Sequence, residues 1–425
     1  MAARATRLTP RGLGLLGGGV GLLVLGVLAG VTALVQVGAL LLLTVGVSTA
    51  LLVLTARHHA RGGLTLTRRI LPHPVEEGSA ATVEVELLAT RSGRTAPRVD
   101  RLTIAERASR ELSDGGPLRA RVRRSRERLR LDYPITPVRR GRWPVGPVQL
   151  SREDLFGVAH WSGPVGEPAL VAVRPAISRL ALSSSALASD VDRAALGARS
   201  PAADDTSLRD YRSGDDLRRV HWRSSARRGQ LVVRQDERSG RRPATVVLDL
   251  PQHGPTGEWS IRVAASVAVG LAEAGHHVRL LGGDVLGVVP DHHRAGTGTA
   301  AAESLLDQTV DLSMPHSPGQ RLSWLATAVD TLHADGGGAE LVFAVVGELE
   351  PGVLASLART GEVTHGWAMV RTSETGEAVA SPDAQRTAER LRRAGWTVCL
   401  VRPGEDVATC WQRLLTADDR VVVAR

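Results

Sequence analysis

The sequence predicts a multidomain α/β protein on a membrane anchor: two transmembrane helices, a small β-sandwich and a C-terminal doubly wound α/β domain. Three patterns carry this expectation. Residues 12–56 contain no charged side chain; residues 64–180 alternate apolar and polar positions between Pro and Gly turns; and from 245 onward short apolar strands alternate with helical stretches. A chain of 425 residues is too long for one small core, and the boundaries read as 1–56, 57–180, 181–242 and 243–425.

The charge-free run is 45 residues long, more than twice the ~20 needed to cross a bilayer once. Two helices near 13–30 and 37–54 fit it, with the more polar stretch 32–36 as the turn. A cleaved signal peptide has an apolar region of only ~7–15 residues, so this run reads as a hairpin. Arg4, Arg7 and Arg11 precede it and Arg57, Arg61, Arg68 and Arg69 follow it, which places both ends in the cytoplasm and makes the chain a multi-pass cell-membrane protein. Glycines 14 and 18, 17 and 21, and 26 and 30 are spaced four apart, either as a helix-packing face or as the general glycine richness of membrane helices.

In 57–180, alternation in Ala81-Thr-Val-Glu-Val-Glu-Leu87 and in Leu129-Arg-Leu131 predicts short strands. The arginines between 119 and 130 are expected on a solvated strand face. Arg139-Arg-Gly-Arg-Trp143 and Asp154-Leu-Phe-Gly157 have turn chemistry.

Composition narrows the function. Every one of the 53 basic residues is arginine. Without lysine the chain has no Walker-type phosphate loop and no Schiff-base or Ser-Lys chemistry. The net charge of +9 is unevenly spread: residues 57–180 hold 23 arginines against 13 acids, while 181–425 hold 27 against 31. The positive excess therefore lies next to the membrane, where anionic lipids attract it, and nucleic acid is not an expected partner. Cys399 and Cys410 are read as reduced core residues, since two cysteines make neither a disulfide framework nor a four-ligand zinc site. The pairs His58-His59, His276-His277 and His292-His293 lack metal-ligand spacing.

The densest stretch is Tyr211-Arg-Ser-Gly-Asp-Asp-Leu-Arg-Arg-Val-His-Trp-Arg-Ser-Ser-Ala-Arg-Arg-Gly-Gln-Leu231. Ser213 or Asp215 suits a helix start and Asp216 its positive end, while Gly229 suits the left-handed residue that closes the helix before a strand at 231–234. Arg219, Arg223 and Arg227 recur every four residues on one face and call for an acidic neighbour, in the same chain or in a partner. The segment resembles the signature of the domain of unknown function 58 family, through Tyr211, Gly214, Asp215, Asp216, Arg218, His221, Trp222, Ala226, Arg227, Gly229 and Leu231. His221 stands where many members have aspartate. The order of parts is also similar: two N-terminal membrane helices, a β-rich region ending in Arg-Arg-Gly-Arg and Asp-Leu-Phe-Gly, then an α/β domain.

After 243 the pattern predicts strands at 245–250, 278–281, 341–346, 367–370 and 398–401, and helices at 259–274, 321–332, 353–359, 383–394 and through Cys410. The resemblance implies a von Willebrand factor A-like domain, in which the first strand ends in an Asp-x-Ser-x-Ser loop that holds a divalent metal. Here that loop is Asp249-Leu-Pro-Gln-His253, and the later strand ends in Gly347-Glu348. One carboxylate beside Pro251 and His253 offers too few hard oxygen ligands, so the site is degenerate and no metal, cofactor or catalytic residue is assigned.

The expectation is a membrane-anchored cytoplasmic scaffold or adaptor that binds protein partners in an assembly or maturation system. The resemblance implies a MoxR-type AAA ATPase as that partner. The expected binding residues are the signature positions above with Arg219 and Arg223. A metal-dependent hydrolase and a nucleic-acid-binding membrane protein are the alternatives.

Overall fold

The computed structural model describes residues 5–58, 64–90, 99–114, 116–180, 208–210, 225, 229, 232–234, 243–284, 297–334, 340–364 and 366–422. The chain divides into two compact units, Met1–Arg174 and Pro175–Arg425.

The first unit holds the hairpin and a two-sheet β structure. Helix α1 spans Pro10–Ala29 and α2 spans Thr32–His58. Thr9 caps α1 by accepting the Gly12 amide at 3.1 Å, and Pro10 sits at its first turn, where no amide partner is needed. Gly30, at φ 67°, ends it in the left-handed conformation a side chain resists. The hairpin turn is therefore at Gly30-Val31. The stretch 32–36, expected as the turn, is the first part of α2, because a single glycine reverses the chain and the modestly polar Thr32 and Gln36 are tolerated in a helix.

The glycines that matter are spaced seven apart. Gly12, Gly19 and Gly26 are buried, and a Cβ on Gly19 would press on Leu41 and Leu42, and one on Gly26 on Leu34 and Val35. Opposite them, Gly38 approaches the Gly19 carbonyl and the Leu23 amide. Gly14, Gly17, Gly18 and Gly21 have open space where a side chain would go, so the four-residue spacing read from the sequence is not the α1–α2 contact. Two full turns separate successive contact positions in a nearly antiparallel pair.

Around the hairpin, β1 spans Ala5–Leu8, β2 Leu64–Leu71, β3 Val75–Glu76, β4 Ala81–Ala89, β5 Thr103–Ala108, β6 Arg121–Arg124, β7 Arg128–Ile135, β8 Gly141–Glu153, β9 Ala159–Val165 and β10 Ala169–Arg174. One sheet runs β1-β9-β8-β10-β3 with β5 on β8, and the other runs β2-β4-β7-β6. Val83, Val85 and Leu87 of β4 and Leu129, Leu131 and Tyr133 of β7 point inward to one core. The arginines point outward as expected: Arg130 pairs with Glu84 at 2.8 Å and Arg128 with Glu86 at 3.1 Å across the strands. Strand β1 was not anticipated. It lies before α1 and pairs antiparallel with β9, Ala5 opposite Ser162 and Leu8 opposite Ala159.

A buried polar group joins the two sheets. Arg68 of β2 donates through Nε to Glu106 of β5 at 2.9 Å, and Tyr133 of β7 donates to the other carboxylate oxygen at 2.7 Å. Burial first, then the neighbouring Glu106 charge, push the Tyr133 phenol above its ordinary pKa.

The second unit contains β11 (Leu208–Asp210), β12 (Val232–Arg234), β13 (Ala244–Leu248), α3 (Gly254–Glu273), β14 (Val278–Leu281), α4 (Thr299–Val310), α5 (Pro318–Ala334), β15 (Leu341–Val346), α6 (Pro351–Val363), β16 (Gly366–Arg371), α7 (Pro382–Arg393), β17 (Thr397–Val401) and α8 (Val407–Val422). Strands β14-β13-β15-β16-β17 form one all-parallel sheet. Both faces are covered. Val246, Leu248, Phe343, Val345 and Met369 pack under α3, α4 and α8, whereas Val247, Val342, Ala344, Ala368 and Val370 pack under α5, α6 and α7. This is why the strands read as continuous apolar runs. Helix α4 was not expected: its Thr-Ala-Ala-Ala-Glu start is weakly amphipathic. Cys399 and Cys410 are free and buried in the first of these cores, and burial pushes both thiols up to about 12.

Candidate functional site

In an open parallel sheet a crevice forms outside the strand C-termini, at the place where the strand order reverses. Here the order reverses between β13, flanked by β14, and β15, which leads to β16 and β17. Asp249 is the residue after β13, Gly347 and Glu348 follow β15, and Arg371 is the last residue of β16. Arg321, in the first turn of α5, comes down over the same point.

These groups form one buried ionic cluster. Arg321 donates Nε to Asp249 Oδ1 at 2.8 Å and Nη2 to Oδ2 at 2.6 Å. Arg371 donates Nη2 to the same Oδ2 at 2.7 Å and Nη1 to the Asp249 carbonyl at 2.8 Å. The Gly347 amide adds a bond to Oδ2 at 3.0 Å. Asp249 and Arg371 side chains are fully buried, and Arg321 is 18% exposed. Burial opposes the Asp249 charge, but Arg321 and Arg371 outweigh it and hold the carboxyl well below the usual range; burial likewise opposes the Arg321 charge, and Asp249 outweighs it and raises that pKa.

An outer ring supports this core. Glu374 pairs with Arg321 at 3.1 Å, and Ser381, the N-cap of α7, donates to Glu348 at 2.6 Å while accepting the Ala384 amide. A Cβ on Gly347 would push aside the Glu374 carboxylate and the Arg371 guanidinium. Beside the cluster, α5, α6 and α7 border a groove of about 640 Å³ in which Arg321, Glu348, Glu350, Arg386, Arg390 and Arg393 are interleaved with Leu322, Leu349 and Leu354.

A divalent cation does not fit this donor set. Both Asp249 oxygens already accept from guanidinium or amide groups, and two fixed positive charges stand where further oxygen ligands would have to be. His253 turns instead to Thr256 at 2.9 Å, within its own helix start. Among the described residues, the arrangement stores rigidity and presents charge, and it leaves neither Asp249 carboxylate oxygen without a donor.

The family model described as Protein of unknown function DUF58 matches residues 207–378. This region of the chain belongs to that family. No curated protein matches the sequence significantly. The DUF58 match takes in Asp249, Arg321, Gly347, Arg371 and Glu374, so the ionic cluster lies inside it.

The expected binding residues meet the structure at few points. Tyr211, Gly214, Asp215, Asp216, Arg218, Arg219, His221, Trp222, Arg223, Ala226, Arg227 and Leu231 lie outside the described residues. Gly229 has φ 68°, and its amide donates to the Ser225 carbonyl at 2.9 Å, the bond and the left-handed backbone of a helix end. Strands β11 and β12 pair antiparallel, Asp210 opposite Val232, which brings the two ends of 211–231 together. Arg321 and Arg371 were missed. The available signal was an arginine closing the otherwise apolar strand Gly366-Trp-Ala-Met-Val-Arg371, a position that needs a buried counter-charge.

Proposed function

We propose that this protein is a membrane-anchored scaffold or adaptor whose DUF58 region binds another protein, and that the partner is a MoxR-type AAA ATPase acting in an assembly or maturation system. The observation that carries this reading is the Asp249–Arg321–Arg371 cluster, which fills the crevice where a doubly wound sheet would hold a small ligand. A crevice sealed by its own side chains leaves the rim for function. That rim is the groove of arginine, glutamate and leucine side chains between α5, α6 and α7, a composition suited to a protein surface of mixed charge. The doubly wound sheet with Asp249 after its first strand also supports the von Willebrand factor A-like reading, with a guanidinium pair in place of the metal.

The membrane part rests on α1 and α2, each long and apolar enough to cross a bilayer. Their apolar windows are only 17% and 22% buried within the protein, whereas the core helix of a soluble domain is mostly enclosed. Exposed Leu28, Leu40 and Leu43 then face lipid. Strand β1 before the hairpin and β2 after it belong to the same β unit, so both ends of the hairpin lie on one side, and the arginine flanks make that side cytoplasmic.

Affinity capture of the full chain from native membranes, followed by mass spectrometry, tests the partner. An AAA ATPase is expected with the unaltered chain and at least tenfold less of it with Arg386→Glu/Arg390→Glu, exposed sites where loss of the Asp383 pair and an acid in the last turn of α7 lower the melting temperature by no more than about a few degrees. Recovery of no ATPase from the unaltered chain overturns the reading.

A further inference from the structure

The turn Asp154-Leu-Phe-Gly157, between β8 and β9, carries two large apolar side chains in the open: Leu155 is 82% exposed and Phe156 64%. Its backbone is firmly held. The Asp154 carboxylate accepts the Phe156 amide at 3.1 Å, the Val158 amide at 2.6 Å and the Ala159 amide at 2.7 Å. Burial opposes the Asp154 charge, but these amides and the Ser48 hydroxyl overcome it and keep the carboxyl below its ordinary pKa. A turn made this rigid displays Leu155 and Phe156 rather than leaving them to collapse onto a core.

Its neighbours fix its level along the hairpin. The Thr9 amide donates to the Val158 carbonyl at 2.9 Å and the Thr9 hydroxyl donates to Gly157, while Gly12 packs against the Val158 carbonyl so closely that a Cβ would collide with it. Arg11 lies beside Gly157. The turn therefore stands at the first turn of α1, where the last charge before the apolar run gives way to that run. On the other helix it meets Ser48. From 32 to 48, α2 rises about 25 Å at ~1.5 Å per residue, close to the thickness of a bilayer's hydrocarbon core. Beyond that level α2 packs Leu52 into the β core.

We propose that Leu155 and Phe156 insert into the interfacial layer of the bilayer, so that the turn is a third membrane contact that fixes the height and tilt of the β unit on the lipid surface. The occupant is lipid: the exposed pair stands at the level where the exposed apolar surface of the hairpin begins, at Leu13 and Leu16, and Arg11 beside the turn suits a headgroup phosphate. The inference rests on the hairpin spanning the membrane. It adds a contact that two helices alone do not give, since a hairpin fixes depth in the bilayer, whereas a turn at the lipid surface also resists tilting of the hairpin together with the β unit packed on it.

Placing a nitrobenzoxadiazole dye at Leu155→Cys of the full chain, in phosphatidylcholine and phosphatidylglycerol vesicles, tests this, with the unsubstituted chain setting the background from buried Cys399 and Cys410. Lipid spin-labelled at acyl carbon 5 is expected to quench the dye at least twofold, and aqueous iodide to quench it at least threefold less than free dye. Iodide quenching equal to that of free dye, without quenching by the spin-labelled lipid, overturns the proposal. A second dye at Leu43→Cys separates the failures: quenched at 43 but not at 155, the hairpin stands and the turn contact falls; quenched at neither, both fall.

Discussion

At the scale of single residues, the decisive feature is a carboxylate shared by two guanidinium groups. Removing water from three charges costs several kcal/mol per ion, and the cluster is tolerable only because every Asp249 oxygen has charge-assisted donors within 3.0 Å. Breaking it by removing the shared anion leaves two buried cations facing each other. Asp249→Asn is therefore expected to destabilise the second unit by about 3–5 kcal/mol at pH 7, read as a loss of denaturant midpoint. The folded pKa of Asp249 lies below the unfolded value of ~3.9, so its contribution is fully present above that value and is lost as pH falls below it. The unaltered chain should lose stability more steeply below about pH 4 than Asp249→Asn does; parallel acid-unfolding curves would contradict the assignment. Asp249 itself stood out in the sequence as the residue of a degenerate loop. Its partners did not, because Arg321 and Arg371 are 72 and 122 residues away along the chain.

At the scale of elements, regular periodicity was legible and close approach was not. The strands at 278–281 and 341–346 have the bounds expected from their apolar runs, and the helices at 318–334 and 382–393 contain the predicted ones almost whole. The hairpin shows the opposite case. Glycine is abundant throughout α1, so spacing alone suggested the pairs at 14 and 18, 17 and 21, and 26 and 30, yet the contact with α2 runs through 19 and 26, while Gly12 packs on Val158. Which glycines matter depends on how α2 crosses α1, and the sequence of one helix does not contain that angle. Gly26→Leu should thus separate the helices and lower the melting temperature of the detergent-solubilised chain by several degrees, while Gly18→Leu, on the open face, should leave it within a degree or two. Equal effects of the two substitutions would refute the seven-residue contact.

At the scale of the whole molecule, the chain alternates between tasks that its composition announces and contacts that it conceals. Reporter fusions after Arg61 and after Arg425 should both report the cytoplasm, because β1 and β2 tie both ends of the hairpin to one β unit; an external signal from either position rules the topology out. The sequence by itself determined two helices long and apolar enough to cross a bilayer, the β-rich middle, the alternating α/β end and the DUF58 signature, since each is a local pattern of charge, period or motif that needs no distant residue to be read. Tertiary structure alone decided three things: the pairing of β1 with β9, the arginine cluster on Asp249 at the switch point of the sheet, and the placing of Leu155 and Phe156 at the level of Arg11. Each joins groups tens to more than a hundred residues apart, and what selects them is the geometry of packed layers and the need to give every buried charge a partner, neither of which is written in any short stretch of the chain.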